Sequence, residues 1–156
     1  MTNSCECKFC NSGGKWEGRF IHMAQMVAGW SKDPSTQTGA VIVGPDNSVI
    51  SVGFNGFPAG MSDDPDLYND RNEKYSTIIH CEVNALLRVG RPLPEGSSLY
   101  TWPFMSCDRC VVQMIQAGIR RFVAPACPED KAERWAEVFD RTRRYIDECG
   151  GFLLEL

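Results

Sequence analysis

Two short segments, His80-Cys81-Glu82 and Cys107-Asp108-Arg109-Cys110, constrain this chain more than any other feature. They offer one imidazole, two thiols at i and i+3, and a carboxylate two residues from the imidazole. Nitrogen and sulfur donors of this softness suit zinc better than magnesium or calcium. A structural zinc site is closed by a fourth Cys or His, whereas a catalytic one keeps a position open. With Glu82 beside three donors, the set reads as His80, Cys107 and Cys110 on a metal, one open position, and Glu82 as acid/base. The bland alternative, a structural zinc knuckle or buried thiols, gives Glu82 no task. Any fold of this chain must bring the two segments to one point.

Local patterning suggests how. Cys107 to Ala117 reads as a helix with Ser106 as N-cap and Gly118 as its stop. His80 sits at the start of a second predicted helix, Cys81 to Val89, closed near Gly90 and Pro92. The partial positive charge of a helix N-terminus favours thiolates. Two thiolates neutralise Zn²⁺, yet water bound in such sites still reaches a pKa of about 7. Glu82 is placed to take a proton from that water and return it elsewhere.

The remaining elements follow the same reading. Trp16, Phe20, Met23, Ala24, Val27 and Ala28 recur at helical steps, with His22 opposite and Asp33-Pro34 as the stop. Ala40 to Val43 is an apolar strand; Gly44-Pro45-Asp46-Asn47 is a turn; Ser48 to Phe54 returns with Ile50, Val52 and Phe54 on one face. Residues 55–77 hold Gly56, Pro58, Gly60 and Pro65 and read as a long functional loop. Ser97–Trp102 and Arg121–Ala124 are strands, Glu129–Glu148 is a helix, and Phe152–Leu154 is an edge strand. The later strand–helix–strand units call for parallel pairing. The expected architecture is a three-layer α/β/α sandwich around one central mixed five-stranded sheet, in one domain spanning residues 1–156.

Composition narrows the function. Sixteen basic residues against twenty acidic ones give a net charge of −4, which disfavours a polymeric nucleic acid as substrate. No apolar run approaches a membrane span and Met1-Thr2-Asn3-Ser4-Cys5 lacks a signal peptide's features, so a cytoplasmic protein without membrane contact is expected. Eight cysteines in such a chain read as metal ligands or small buried groups rather than disulfides. Residues 1–15 look irregular. Cys5, Cys7 and Cys10 there read equally as a second metal site, with His22 or a distant Cys, or as three unpaired thiols. Cys127 and Cys149 read as packing residues. Trp102 and Phe104 read either as walls of a ligand pocket or as core.

The H-x-E and C-x-x-C pair resembles the cytidine deaminase superfamily, and within it the deoxycytidylate deaminases. The likeness extends through 31–43 (Ser31-Lys32-Asp33-Pro34-Ser35-Thr36-Gln37-Thr38 onward), Gly53-Phe54-Asn55-Gly56-Phe57-Pro58, Ser62-Asp63-Asp64, His80 to Ala85 and Tyr100-Thr101-Trp102-Pro103. Two positions depart: Cys81 stands where the family has Ala, putting a third sulfur close to the metal, and Ser106 stands where it has Pro.

The resemblance implies zinc-dependent hydrolysis of dCMP to dUMP and ammonia, feeding thymidylate synthesis. It further implies that Asn55 binds the deoxyribose or phosphate, that the Cys81 backbone holds the base carbonyl, and that Lys32, Ser35 and Thr36 lie at the nucleotide's 5′ side. It also implies a homo-oligomer, with a hexamer favoured, activated by dCTP and inhibited by dTTP together with Mg²⁺ through Phe54, Gly56, Arg88 and Arg91. For the arginines, solvated helix-end charges are an equal reading; for Lys32 and Ser35 a solvated turn and cap, and for Asn55 a turn residue with left-handed backbone, are the blander alternatives. Related deaminases of dCTP, free cytidine or deoxycytidine, or a nucleic-acid base, and a non-catalytic zinc-stabilised nucleotide sensor, are the competing readings.

Overall fold

The computed structural model describes residues 14–156, so the Cys5, Cys7 and Cys10 expectation lies outside the described residues. Helix α1 (Lys15–Ala28) buries Phe20, Ile21, Ala24, Val27 and Ala28 along one stripe. Trp16, expected on that stripe, is 43% exposed, and Ile21 takes the buried place. The helix also ends earlier than Asp33-Pro34: the Gly29 amide closes the last turn onto the Gln25 and Met26 carbonyls. Asp33 instead organises the irregular segment that follows.

Strands β1 (Gly39–Val43) and β2 (Val49–Phe54) form the expected antiparallel hairpin. Its turn uses Asn47 at φ 63°, a left-handed conformation that Asn tolerates. Ile50 and Val52 do not share a face. The register slips by one residue between Val43↔Val49 and Ile42↔Ser51, a bulge at Ile50. Ile50 therefore packs into one layer and Val52 into the other.

Residues 55–77 are less loop-like than the Gly and Pro content implies. They contain α2 (Pro65–Asn69) and α3 (Arg71–Thr77), each started by an aspartate side chain, Asp64 on the Asp66 amide and Asp70 on the Asn72 and Glu73 amides. Next come α4 (Cys81–Leu87), β3 (Ser98–Trp102), α5 (Asp108–Gln116), β4 (Arg121–Ala124), α6 (Glu129–Glu148) and the edge strand β5 (Phe152–Glu155). The sheet order is β2-β1-β3-β4-β5, with β1 antiparallel to both neighbours and β3, β4 and β5 mutually parallel.

Alternation along β1 supplies both faces of the sandwich. Val41 and Val43 join Phe20, Ile21 and Ala24 of α1, while Ala40 and Ile42 join Cys81, Ala85, Val111 and Met114 under α4 and α5. Two glycines let helices lie directly on the hairpin. A Cβ at Gly39 would overlap α1 backbone at Ala24 and Ala28, and one at Gly53 would overlap α4 backbone at Cys81 and Ala85. A third cluster joins Phe104 and Met105 to Trp135 and Phe139 of α6, so Phe104 is core. Cys127 packs at its edge as expected, whereas Cys149 is exposed at the end of α6.

The register decides where chemistry collects. Gly39 pairs with both Phe54 and Trp102, so Thr38, Asn55 and Pro103 leave the sheet at one end. In open α/β sheets that carboxyl end of the parallel strands is where ligands bind.

Candidate active site

His80 is the N-cap of α4 and Cys107 the N-cap of α5. Ser106 is thus not the cap: α5 begins one residue later than the spacing suggests, and the Ser106 hydroxyl is buried in the loop before it. Thr142 of α6 donates to the Ser106 carbonyl and Thr101 to the Phe104 carbonyl, so both ends of that loop are held. Asp108 in the first turn of α5 is bound by Arg141 of α6 at 2.7 Å.

These supports bring the three donors together. Cys107 Sγ and Cys110 Sγ lie 3.5 and 3.3 Å from His80 Nδ1, and all three donor atoms fall within 4.8 Å of one another. Zinc–nitrogen and zinc–sulfur bonds of about 2.05 and 2.3 Å at a tetrahedral angle place N and S roughly 3.6 Å apart. The donor set and its spacing therefore fit Zn²⁺.

The protonation pattern shows how strongly the donors interact. Cys107 is lowered to about 5, first by its hydrogen bond with Cys110 and then, against burial, by His80. His80 is raised to about 9, chiefly by its hydrogen bond to Cys107. Cys110 is pushed up by sharing its proton with Cys107 and by burial. A thiolate–imidazolium pair thus stands where a cation exchanges for protons.

Glu82, in the first turn of α4, is 4% exposed. Its charge acts on His80, Cys107 and Cys110 alike, which places it beside the donor cluster. The Cys81 thiol donates to Glu82 Oε2 at 3.2 Å. Cys81 itself points into the core layer under α4. Burial and the Glu82 charge push its thiol up, so it stays protonated and remains a donor.

The other expected residues surround this centre unevenly. Asn55 is buried, its amide nitrogen donating to Asp33 Oδ2 (3.2 Å) and the Thr36 carbonyl (2.9 Å), its oxygen accepting from the Thr38 amide (2.8 Å). Its backbone is not left-handed, so it is no ordinary turn residue. Asp33 Oδ1 accepts from the Ser35 and Thr36 amides, and Lys74 reaches the same carboxylate at 2.8 Å and Ser35 Oγ at 3.1 Å. Asn55, Ser35 and Thr36 therefore belong to one network, while Lys32 is drawn away to an exposed ion pair with Asp63. Gly56 bridges to Ile79, next to His80. Arg88 lies 5.6 Å over the Phe54 ring, and Arg91 is exposed.

Three residues of weight were missed by sequence reasoning. In sequence Asp33 reads as a helix stop and Lys74 falls within the 55–77 loop. Asn84, which donates to the Phe54 carbonyl and ties α4 to β2, carried no signal beyond its place after His80-Cys81-Glu82.

Comparison with known proteins agrees with this geometry. Residues 14–126 match the cytidine and deoxycytidylate deaminase zinc-binding region. An uncharacterised deaminase from the luxG 3′ region of Aliivibrio fischeri is 42% identical over 136 residues, covering 87% of this chain and 90% of that protein. The deoxycytidylate deaminase of Homo sapiens is 34% identical over 161 residues, covering 96% and 90%. The crystal structure of dCMP deaminase from the cyanophage S-TIM5, in complex with dCMP and dUMP, superposes with a TM-score of 0.67 at 19% identity over 90% of this chain and 96% of that one, a likeness of fold. With its zinc-ligand set, its fold and these relatives in agreement, the chain belongs to the cytidine and deoxycytidylate deaminase family and is a deaminase, hence a hydrolase.

Proposed function

We propose that this protein hydrolyses dCMP to dUMP and ammonia. The observation that carries the reaction type is a buried carboxylate, Glu82, beside the converged His80, Cys107 and Cys110 donors. The choice of dCMP rests on the deoxycytidylate deaminases among the relatives and on the net charge of −4, which disfavours a polymeric nucleic acid.

In this reading His80 Nδ1, Cys107 Sγ and Cys110 Sγ would hold Zn²⁺, which would supply an acidified water as the nucleophile. Glu82 takes a proton from the attacking water and delivers it to the ring nitrogen, then carries the proton of the added hydroxyl to the departing amine as the new carbonyl forms. The Cys81 thiol orients the Glu82 carboxylate by donating to its Oε2. The backbone amide of Cys81 holds the base carbonyl. Asn55, Ser35 and Thr36 meet the deoxyribose and 5′ side, with Lys32 swinging from Asp63 to the phosphate. Water adds, ammonia leaves, and no redox step is needed.

The test is absorbance-followed deamination of dCMP, deoxycytidine, cytidine, dCTP and a cytosine oligonucleotide. dCMP is expected to be strongly preferred. Equal rates on dCMP and deoxycytidine would remove the phosphate assignments, and preference for the oligonucleotide would remove the mononucleotide reading.

The wider setting belongs to the same proposal. Residues 1–156 act as one domain, in the cytoplasm, as a homo-oligomer with a hexamer favoured, supplying dUMP for thymidylate synthesis. Activation by dCTP and inhibition by dTTP, each with Mg²⁺, act through Phe54, Gly56, Arg88 and Arg91; the Arg88–Phe54 stack supports a shared surface there. Turnover that ignores both triphosphates across a wide concentration range would reject this regulation.

A further inference from the structure

We infer that Lys74 is a positioning residue for the nucleotide, holding the 33–36 segment in its binding shape from a helix that leads straight into the metal centre. The inference rests on the reading that this segment meets the nucleotide's 5′ side.

Lys74 is 8% exposed, a rare state for a lysine that is not paired. Its ammonium lies 2.8 Å from Asp33 Oδ1 and 3.1 Å from Ser35 Oγ. Asp33 is 3% exposed and also gathers the Ser35 and Thr36 amides and the Asn55 side chain. Asn55 in turn holds the Thr36 carbonyl and the Thr38 amide. One buried cation thus completes a network that ties together Asp33, Ser35, Thr36 and Thr38 of the segment.

The other end of Lys74 reaches the chemistry. Its carbonyl accepts the Ile78 amide at 2.8 Å, Ile79 pairs with Gly56, and His80 follows. The segment around Asn55 is therefore stitched to α3 on one side and to Ile79, just before His80, on the other. Removing the cation leaves the Asp33 carboxylate buried and uncompensated, which loosens the segment or drags the carboxylate toward solvent.

The test compares the zinc-loaded full chain with Lys74→Met and Asp33→Asn/Lys74→Met, using steady-state kinetics on dCMP and hydrogen–deuterium exchange over residues 31–38. For Lys74→Met the expected result is a KM for dCMP raised tenfold or more, kcat within about threefold, unchanged zinc content, and faster exchange at the Ser35 and Thr36 amides. Unchanged KM and exchange overturn the inference, as does a fall in kcat with KM unchanged. If Lys74→Met does not fold, the double variant decides, since it buries no unpaired charge. A KM severalfold above wild type with kcat retained supports the role, and wild-type KM overturns it. A folded, zinc-loaded wild-type chain inert toward dCMP would refute the substrate reading instead, and the exchange comparison still tests Lys74.

Discussion

Gly53→Ala adds a single methyl group at the point where β2 and α4 touch. That Cβ would overlap the Cys81 carbonyl oxygen and the Ala85 amide nitrogen and lie 2.9 Å from Ala85 Cα. Every atom it meets is helix backbone, so no side-chain rotation relieves the contact. Restoring ordinary van der Waals spacing takes a displacement on the order of 1 Å. Overpacking of this kind costs about 1–3 kcal/mol, which for a chain of this size lowers Tm by roughly 3–10 °C. The effect on activity should be larger than on stability. The displaced helix begins at His80 and carries Glu82, and a misplacement of about 1 Å at reacting groups can cost up to about 10² in rate. Calorimetry and absorbance-followed deamination at 25 °C, where the variant is still folded, measure the two effects separately. A variant with unchanged Tm and wild-type kcat would refute the claim that Gly53 exists to let this helix seat on the sheet.

Further expectations concern the site itself. Glu82→Gln keeps zinc at one ion per chain and loses turnover by about 10²–10⁴-fold, read by metal analysis beside kinetics; near wild-type turnover would remove Glu82 from proton transfer. Stripping the metal with a chelator abolishes deamination and added Zn²⁺ restores it, whereas activity that survives complete stripping contradicts the ligand assignment. In the stripped protein, iodoacetamide followed by mass mapping labels Cys107 well before Cys81 or Cys110. The half-buried Cys107 thiol is lowered to about 5, chiefly by its hydrogen bond with Cys110, while the other two are raised. Its labelling is therefore sustained at neutral pH and falls only as pH drops through about 5, whereas an ordinary thiol already loses reactivity as pH falls below 9.0.

The reactive residues were legible because their signal is local. An imidazole two residues from a carboxylate, and two thiols a helical turn apart, state their chemistry without any knowledge of their neighbours. The hairpin, the parallel strands and the α6 helix were equally readable, since apolar periodicity and turn chemistry act over a few residues. Helices α2 and α3 were not, because segments of 5 and 7 residues are too short to be helical by propensity and depend on caps and packing.

The bulge at Ile50 was invisible for a related reason. The period-2 pattern of β2 is intact as a string, and only pairing with β1 shows one residue set aside. Likewise Ser106 has the chemistry of an N-cap, but the loop held by Thr101 and Thr142 starts α5 one residue later and hands that place to Cys107.

Lys74 and Asp33 are the sharpest case. As letters they are a solvated charge and a helix stop, and nothing within several residues of either says otherwise. They meet because α3 packs back on the segment after α1, closing a contact between residues 41 apart. Short-range spacing picks out the candidate metal and acid/base groups. How the segment after α1 is held follows from long-range closure of the chain, where burial turns an ordinary ion pair into a structural constraint.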